Sequence, residues 1–227
     1  MNIAIIPARS GSKGLIDKNI KCISDMPLLA HAIKCAEHSS IFDEIFVSTD
    51  SSHYADIAVQ YGGYVPFLRT PALANDTASI WDTVKMIIDY YEKDGKHFDM
   101  ITVLQPTSPL RTSTDIINAY ELFQENKADS VISVCSADHA PYLYNILPKN
   151  HSLDGFINKD MINMQRQQLS EYYRINGAIY MLKDKNANLY GKNSFAYIMP
   201  KERSVDIDDE WDFLIAQMIF EKTFNKE

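Results

Sequence analysis

Short apolar runs alternate along the chain with segments of three- and four-residue apolar spacing. The runs Ile3–Pro7, Glu44–Ser48, Tyr64–Leu68, Met100–Leu104 and Ser130–Val134 are brief, rich in β-branched or aromatic residues, and closed by polar or turn residues. Each predicts a strand. Between them the helical period emerges. Residues 27–39 place Leu28, Leu29, Ala32, Ile33 and Ala36 on one face, with Pro27 suited to a first turn. Residues 52–61 stop at Gly62-Gly63. Ile80, Val84, Ile87, Ile88 and Tyr91 mark a third helix, and Ser113 is placed to cap a fourth holding Ile116, Ile117, Tyr120 and Phe123.

Strand and helix in alternation imply right-handed β-α-β units and a mostly parallel sheet, an α/β fold. Ligands of such open sheets bind beyond the carboxyl ends of the strands. The polar loops Arg9–Lys13, Ser48-Thr49-Asp50 and Gln105-Pro106-Thr107-Ser108 fall there. The pattern breaks from about Ser136 to Tyr173, where Pro141, Pro148, several tyrosines and the polar run Gln165-Arg166-Gln167-Gln168 interrupt it. This stretch is expected to leave the sheet. Arg174–Leu182 returns to strand character, Tyr197–Met199 predicts one more short strand, and Asp208–Phe220 a closing helix. The chain thus divides into a core, 1–135 with 174–227, and an insertion, 136–173.

Composition narrows the function classes. With 227 residues, 46% of them hydrophobic, there is enough chain for one substantial core. A net charge of −8 disfavours a general nucleic-acid binder but leaves room for an anionic small ligand in a local cationic pocket. Cys22, Cys35 and Cys135 are odd in number and lack metal-ligand spacing, so reduced thiols are expected. Ile3–Ile6 is too short for a signal peptide or a membrane span, which makes the cytoplasm the expected compartment. The six histidines are scattered without carboxylate or cysteine partners and are read as structural.

The candidate chemistry begins directly after the first strand, at Ala8-Arg9-Ser10-Gly11-Ser12-Lys13-Gly14 with Lys18-Asn19. Glycines admit close approach of backbone N–H groups, serines add donors, and Arg9, Lys13 and Lys18 concentrate positive charge. That mixture suits a polyphosphate. It is neither a Walker A sequence nor Gly-x-Gly-x-x-Gly, which disfavours a P-loop kinase and a nicotinamide site. Far along the chain, Asp206-Ile207-Asp208 places two carboxylates at i and i+2, on one side of an extended segment. The pair suits Mg²⁺, which takes a few carboxylates and fills its sphere with phosphate oxygens and water. Alternatively, Asp208 and Asp209 cap the last helix. Leu104–Arg111 carries two prolines that fix a rigid turn, presenting Gln105, Thr107 and Ser108 to the cleft, with Arg111 either structural or ligand-facing. Arg166 and Arg174, with Asn176-Gly177, offer guanidinium forks for a carboxylate.

Taken in order, these segments resemble the CMP-sugar synthetases, and within them the N-acylneuraminate cytidylyltransferases (CMP-sialic acid synthetases). The matching stretches run nearly the whole length: Ile6–Leu15 with Lys18-Asn19, Val47–Asp50, Arg69–Ala72, Asp76–Ser79, Leu104–Arg111, Arg166–Gln168, Arg174–Tyr180 and Asp206–Asp208. The resemblance implies a three-layer α/β/α, Rossmann-like nucleotidyltransferase fold with a mixed sheet. It also implies a small dimerisation arm, which residues 136–173 would form in a homodimer. The implied reaction joins CTP and a 2-keto nonulosonic acid to give a CMP-sugar and pyrophosphate, with Mg²⁺.

By the same resemblance, Ala8, Arg9, Ser12, Lys13, Lys18 and Asn19 bind CTP, and their cations cradle the triphosphate. Arg69, Ala78 and Ser79 belong to the part that reads cytosine and ribose. Asp206 and Asp208 are the metal ligands, and Arg9, Lys18 and Asp208 carry catalysis. Gln105, Thr107, Asn176 and Tyr180 form the sugar pocket, with Arg166, from the same chain or its partner, gripping the sugar carboxylate near Arg174. Two positions depart from the family pattern. His139–Tyr144 has no lysine where sialate-specific relatives often carry one, and Ile80 stands where some have a serine near the ribose. Legionaminate, pseudaminate and 3-deoxy-manno-octulosonate therefore remain alternative acceptors. A non-catalytic nucleotide-binding protein is the rival of another class, and the intact set Arg9, Lys18, Asp206 and Asp208 argues against it. The whole reading requires the glycine-bearing loop and the distant aspartate pair to meet at one cavity.

Overall fold

The first strand, β1 (Asn2–Pro7), alternates its side chains between two buried faces. In the computed structural model, which describes residues 1–70, 79–157 and 170–224, these faces belong to separate layers. Ala4 and Ile6 join a cluster with Leu29 and Ile33 of α1 (Leu28–Ser39), Ala58 of α2 (Ser52–Gln60), and Ile116 and Ala119 of α4 (Ser113–Glu125). Ile3 and Ile5 join Val84, Ile87, Ile88 and Tyr91 of α3 (Ile80–Lys93) on the other side. A single strand with period-two alternation thereby holds helices on both faces.

The six-stranded sheet has the order β4-β1-β5-β7-β6-β8, with β4 (Glu44–Ser48), β5 (Met100–Val103), β6 (Ser130–Ser136), β7 (Tyr173–Leu182) and β8 (Ser194–Ile198). β1 pairs in parallel with β4 and β5, and β6 with β8; β7 alone runs antiparallel, between β5 and β6. The expected mostly parallel, mixed sheet is present. Reversal of β7 matters for the site, because it brings the start of that strand to the same edge as the carboxyl ends of β1, β4 and β5. A small ribbon, β2 (Cys22–Ile23) with β3 (Met26–Pro27), leads into α1.

Several boundaries differ from the sequence reading. Tyr64–Leu68 is not a strand. Tyr64 N–H donates to Ile45 and its carbonyl accepts from Val47, making one isolated bridge beside Phe46. Pro66, two residues on, has no N–H with which to extend the ladder. Thr112, not Ser113, caps α4, in a reciprocal box with Asp115. Pro27 sits one residue before the helix rather than in its first turn. The last strand begins at Ser194, earlier than Tyr197.

Between β6 and β7 the described residues contribute only a 3₁₀ turn at Pro141–Leu143. This excursion starts and returns at the ligand-side edge, where Ser136 pairs with Tyr173. Cys22 is exposed, Cys35 and Cys135 are buried, and all three are free thiols.

A third apolar cluster sits below that edge. It contains Leu15, Ile23, Leu28, Leu110, Ile207 and Ala216, the last from α5 (Glu210–Phe224). Leu15 follows the cationic loop and Ile207 separates the two aspartates, so the same core anchors both segments. Full burial of Ile207 contributes about 2 kcal/mol.

Candidate active site

The loop after β1 is braced from beneath. Ala8 N–H donates to the Ser48 carbonyl at 2.8 Å. Ser10 donates its backbone N–H to Asp50 Oδ1 at 2.7 Å and its hydroxyl to Oδ2 at 2.8 Å. Burial pushes the Asp50 carboxyl up, but these bonds and the Arg69 charge more than offset it and hold the pKa below the ordinary value. Gly11 supplies a φ of +70° in the turn. Asn19 Nδ2 donates to the Arg9 carbonyl at 3.0 Å, and the Tyr54 hydroxyl donates to Asp17 at 2.9 Å. The loop's shape thus rests on residues about 40 positions away in sequence as well as on its own turn.

The aspartate segment closes on this loop. Lys18 Nζ donates to the Ile207 carbonyl at 2.8 Å and to Asp208 Oδ1 at 3.0 Å. A Cβ at Gly14 would overlap the Asp208 carbonyl, so only glycine permits this approach. Gly177, at φ +76°, fills the same role on β7: a Cβ there would lie 3.2 Å from Asp206 Oδ2 and 3.3 Å from Gln105 Oε1. Ile207 is buried in the core, which leaves Asp206 and Asp208 together on the cavity side. Capping of α5 falls to Asp209, whose Oδ1 accepts N–H groups of Trp211 at 2.8 Å and Asp212 at 3.0 Å. Asp208 keeps its carboxylate for the cavity.

One cavity of about 510 Å³ is bounded by Arg9, Ser12, Lys13, Lys18 and Asn19, by Arg69, by Gln105 and Thr107, and by Asp206 and Asp208. The loop and the aspartate pair therefore share a space. Arg69 is buried, with its N–H on the Thr49 carbonyl and Nη2 on the Ser48 carbonyl, both at 2.7 Å. Burial lowers its pKa; Asp50 opposes this and Arg9 adds to it.

Other predicted residues lie elsewhere. Ala8 is buried at the strand end, outside the lining. Ser79 is exposed and caps α3, accepting the Trp81 N–H at 3.2 Å. Asn176 is 1% exposed and sits beneath the cavity, with Oδ1 accepting from Ser133 at 2.6 Å and Nδ2 donating to Ser204 Oγ at 2.9 Å. Arg174 donates to the Ser204 carbonyl at 3.0 Å, behind the aspartates. Tyr180 packs edge-on against Trp81, ring centres 5.6 Å apart. Ala78 and Arg166 lie outside the described residues. Arg111 is structural: its Nη1 donates to the carbonyls of Gln105 and Ala178, bracing the proline turn against β7.

Three features had no clear signal in sequence. The position of Asp50 in a ligand-side loop is legible, but its bond to Ser10, 40 positions away, is not. Thr83 joins the cavity wall from α3. Asp115, wholly buried, receives Arg203 through Nε at 3.1 Å and Nη2 at 2.6 Å, together with Thr112 and Tyr197. Burial alone would raise the Asp115 carboxyl, yet these donors hold it below its ordinary value. The clamp fixes Arg203, three residues before Asp206.

Asp206 is the electrostatic opposite. Burial raises its carboxyl, Asp208 adds to the rise, and Thr107, Lys18 and Arg174 counter it only in part. Its Oδ1 is buried and has no hydrogen-bond partner among the described residues. A buried carboxylate oxygen without a donor, beside a second carboxylate, fits a divalent cation. Among the described residues no cluster of three or more protein ligands gathers there. Two carboxylates are what Mg²⁺ needs when phosphates and water complete its sphere.

A family model described as "Cytidylyltransferase" matches residues 3–222. An N-acylneuraminate cytidylyltransferase of Escherichia coli is 40% identical across 97% of this chain and 52% of its own length. This chain therefore spans about half of that protein. A CMP-N,N'-diacetyllegionaminic acid synthase of Legionella pneumophila is 34% identical across 96% of each chain. Among solved structures, a CMP:2-keto-3-deoxy-manno-octonic acid synthetase complexed with CTP superposes with a TM-score of 0.72 over 97% of this chain and 98% of that one, at 14% identity. That likeness establishes the shared fold.

Proposed function

The chain belongs to the cytidylyltransferase family, and we propose that it transfers CMP from CTP to the anomeric hydroxyl of a sialic-type 2-keto nonulosonic acid. The sugar oxygen attacks the α-phosphorus. A new P–O bond forms as the bond from that phosphorus to the α,β-bridging oxygen breaks, and pyrophosphate leaves in line. Such transfers depend on positioning and on stabilising charge rather than on covalent help from the protein. Arg9, Lys13 and Lys18 gather the triphosphate oxygens, Ser12 donates to them, and the bracing by Asp50 and Asn19 prepares the loop for its ligand. Gln105 and Thr107 face the acceptor. Arg166 is assigned the sugar carboxylate, with Arg174 behind it.

Asp206 and Asp208 would hold Mg²⁺, which supplies charge neutralisation at the phosphates and lowers the pKa of an oxygen bound to it. The observation that carries this reading is the meeting of Lys18 with Ile207 and Asp208 at the wall of one cavity.

A second acceptor, a legionaminic-type acid, is supported by the Legionella relative, 34% identical across 96% of this chain, and by the lack of a lysine in His139–Tyr144. Incubation with CTP, Mg²⁺ and each acid in turn should release pyrophosphate with at least one of them, and the best kcat/KM names the acceptor. Silence with every such acid would remove the sugar assignment.

We further propose a cytoplasmic homodimer assembled through residues 136–173. Ile146 is 89% exposed and Leu153 68%, on a segment that leaves and rejoins the sheet where Ser136 pairs with Tyr173. No described helix is long and apolar enough to cross a membrane. Light scattering should give twice the chain mass, and Ile146→Asp should shift it toward the monomer.

A further inference from the structure

Thr83 stands in the first turn of α3, 1% exposed, on the wall of the shared cavity. Its Oγ1 has no hydrogen-bond partner among the described residues. A helical threonine commonly returns its hydroxyl to the carbonyl four residues back. Here that carbonyl, of Ser79, takes the backbone N–H groups of Asp82 at 3.2 Å and Thr83 at 3.4 Å instead. The other hydroxyl nearby, Ser79, is exposed and occupied as the helix cap. Thr83 is thus the hydroxyl that α3 presents to the cavity. A buried hydroxyl without a partner is destabilising relative to the isosteric valine, so its presence on a cavity wall points to a ligand group.

The character of that wall indicates which part of the ligand. Of the residues lining this cavity, Arg9, Lys13 and Lys18 suit phosphates and Asp206 with Asp208 a cation. Thr83 and Ile80, three residues apart on one face of α3, are uncharged, as is Pro7. A wall with one neutral donor–acceptor and an apolar neighbour suits the uncharged part of a nucleotide. Resting on the CTP reading above, we propose that Thr83 is a specificity-determining residue for the nucleoside, its Oγ1 hydrogen-bonding a polar group of the ribose or the pyrimidine edge.

The test is calorimetric titration of CTP with magnesium chloride and no sugar acid, so that no turnover is required. Thr83→Val keeps the shape and removes the hydroxyl. It is expected to bind CTP about tenfold more weakly, while Thr83→Ser stays within about twofold of the parent. Without nucleotide, Thr83→Val should melt at or above the parent temperature, the reverse of what a purely structural hydroxyl would give. Titration of parent and valine variant with 2′-deoxy-CTP, 3′-deoxy-CTP and UTP locates the partner. The analogue lacking the group that Thr83 contacts should show no additional loss in the variant. Equal CTP affinity in Thr83→Val and parent would overturn the proposal. So would a lowered melting temperature with equal weakening of every nucleotide and of inorganic triphosphate. A parent that binds no CTP would remove the function reading as well as this one.

Discussion

Asp115 and Asp206 are both mostly buried aspartates at the ligand side of the sheet, and they are treated in opposite ways. Asp115 is saturated: Arg203, Thr112 and Tyr197 donate to it, and its pKa is held down. Asp206 is left wanting, with one oxygen undonated and its pKa raised by burial. The first carboxylate holds the fold together, while the second carries a cost that the folded chain does not relieve by itself. The chain supplies donors to both oxygens of Asp115 and leaves one oxygen of Asp206 without any among the described residues.

Four substitutions sharpen this contrast. The largest effect should come from Asp208→Asn, which keeps the shape of the aspartate segment but removes a charge from the proposed cation site. Turnover is expected to fall by about a thousandfold or more with the melting temperature within a few degrees of the parent. Near-normal activity would contradict the metal role.

Next, Asp115→Ala leaves the Arg203 guanidinium without its partner. Loss of a buried pair costs about 3–5 kcal/mol, and the lower end applies here because Arg203 is 27% exposed. Chemical denaturation should read this loss as an earlier midpoint. Because the Asp115 pKa is depressed, its contribution to stability is present above the ordinary carboxylate range and disappears as the pH falls through the folded value. The gap between parent and variant should therefore narrow only in strong acid.

Third, Asp206→Asn should abolish activity and yet stabilise the unliganded protein by a few degrees. The sign follows from linkage. A raised folded pKa means that the native state holds its proton more tightly than the unfolded chain, so stability falls as pH rises through that window. The asparagine variant escapes this loss. Its advantage should be full at neutral pH and absent below the ordinary carboxylate range. A variant that melts lower than the parent at neutral pH would mean that the Asp206 charge is satisfied by the protein after all.

Last, Thr112→Ala removes the cap of α4 and one donor to Asp115. It should cost about 1–2 kcal/mol, with catalysis unaffected.

Much of the architecture was legible in the sequence because it rests on local periodicity. The alternating apolar positions of Ile3–Ile6 and the three-and-four spacing from Ile80 to Tyr91 specify which faces are buried before any partner is known. Tyr64–Leu68 misled because residue preference sets its aromatic and β-branched residues above Pro66, whose missing N–H is legible in the sequence and ends the ladder after one bridge. The cationic loop and the aspartate pair stood out through unusual local concentration of charge, and the structure places them at one cavity.

What escaped was non-local. The bond from Ser10 to Asp50 and that from Arg203 to Asp115 join residues 40 and 88 positions apart, and neither leaves a spacing to detect. Thr83 sits between the apolar positions Ile80 and Val84, and nothing in that spacing marks it out. Asn176 shows the converse: a motif match suggested the sugar pocket, while its amide is committed to Ser133 and Ser204. Sequence pattern shows which side chains carry chemistry. Which of them remain at liberty to use it depends on neighbours brought by the fold.

The contact between Gly14 and the Asp208 carbonyl has a bearing on biogenesis. Two segments separated by most of the polypeptide meet there with no space for even a methyl group. A chain still under synthesis can form β1 and lay down its parallel neighbours, but the cavity between the cationic loop and the aspartate segment cannot close until the residues around Asp208 leave the ribosome.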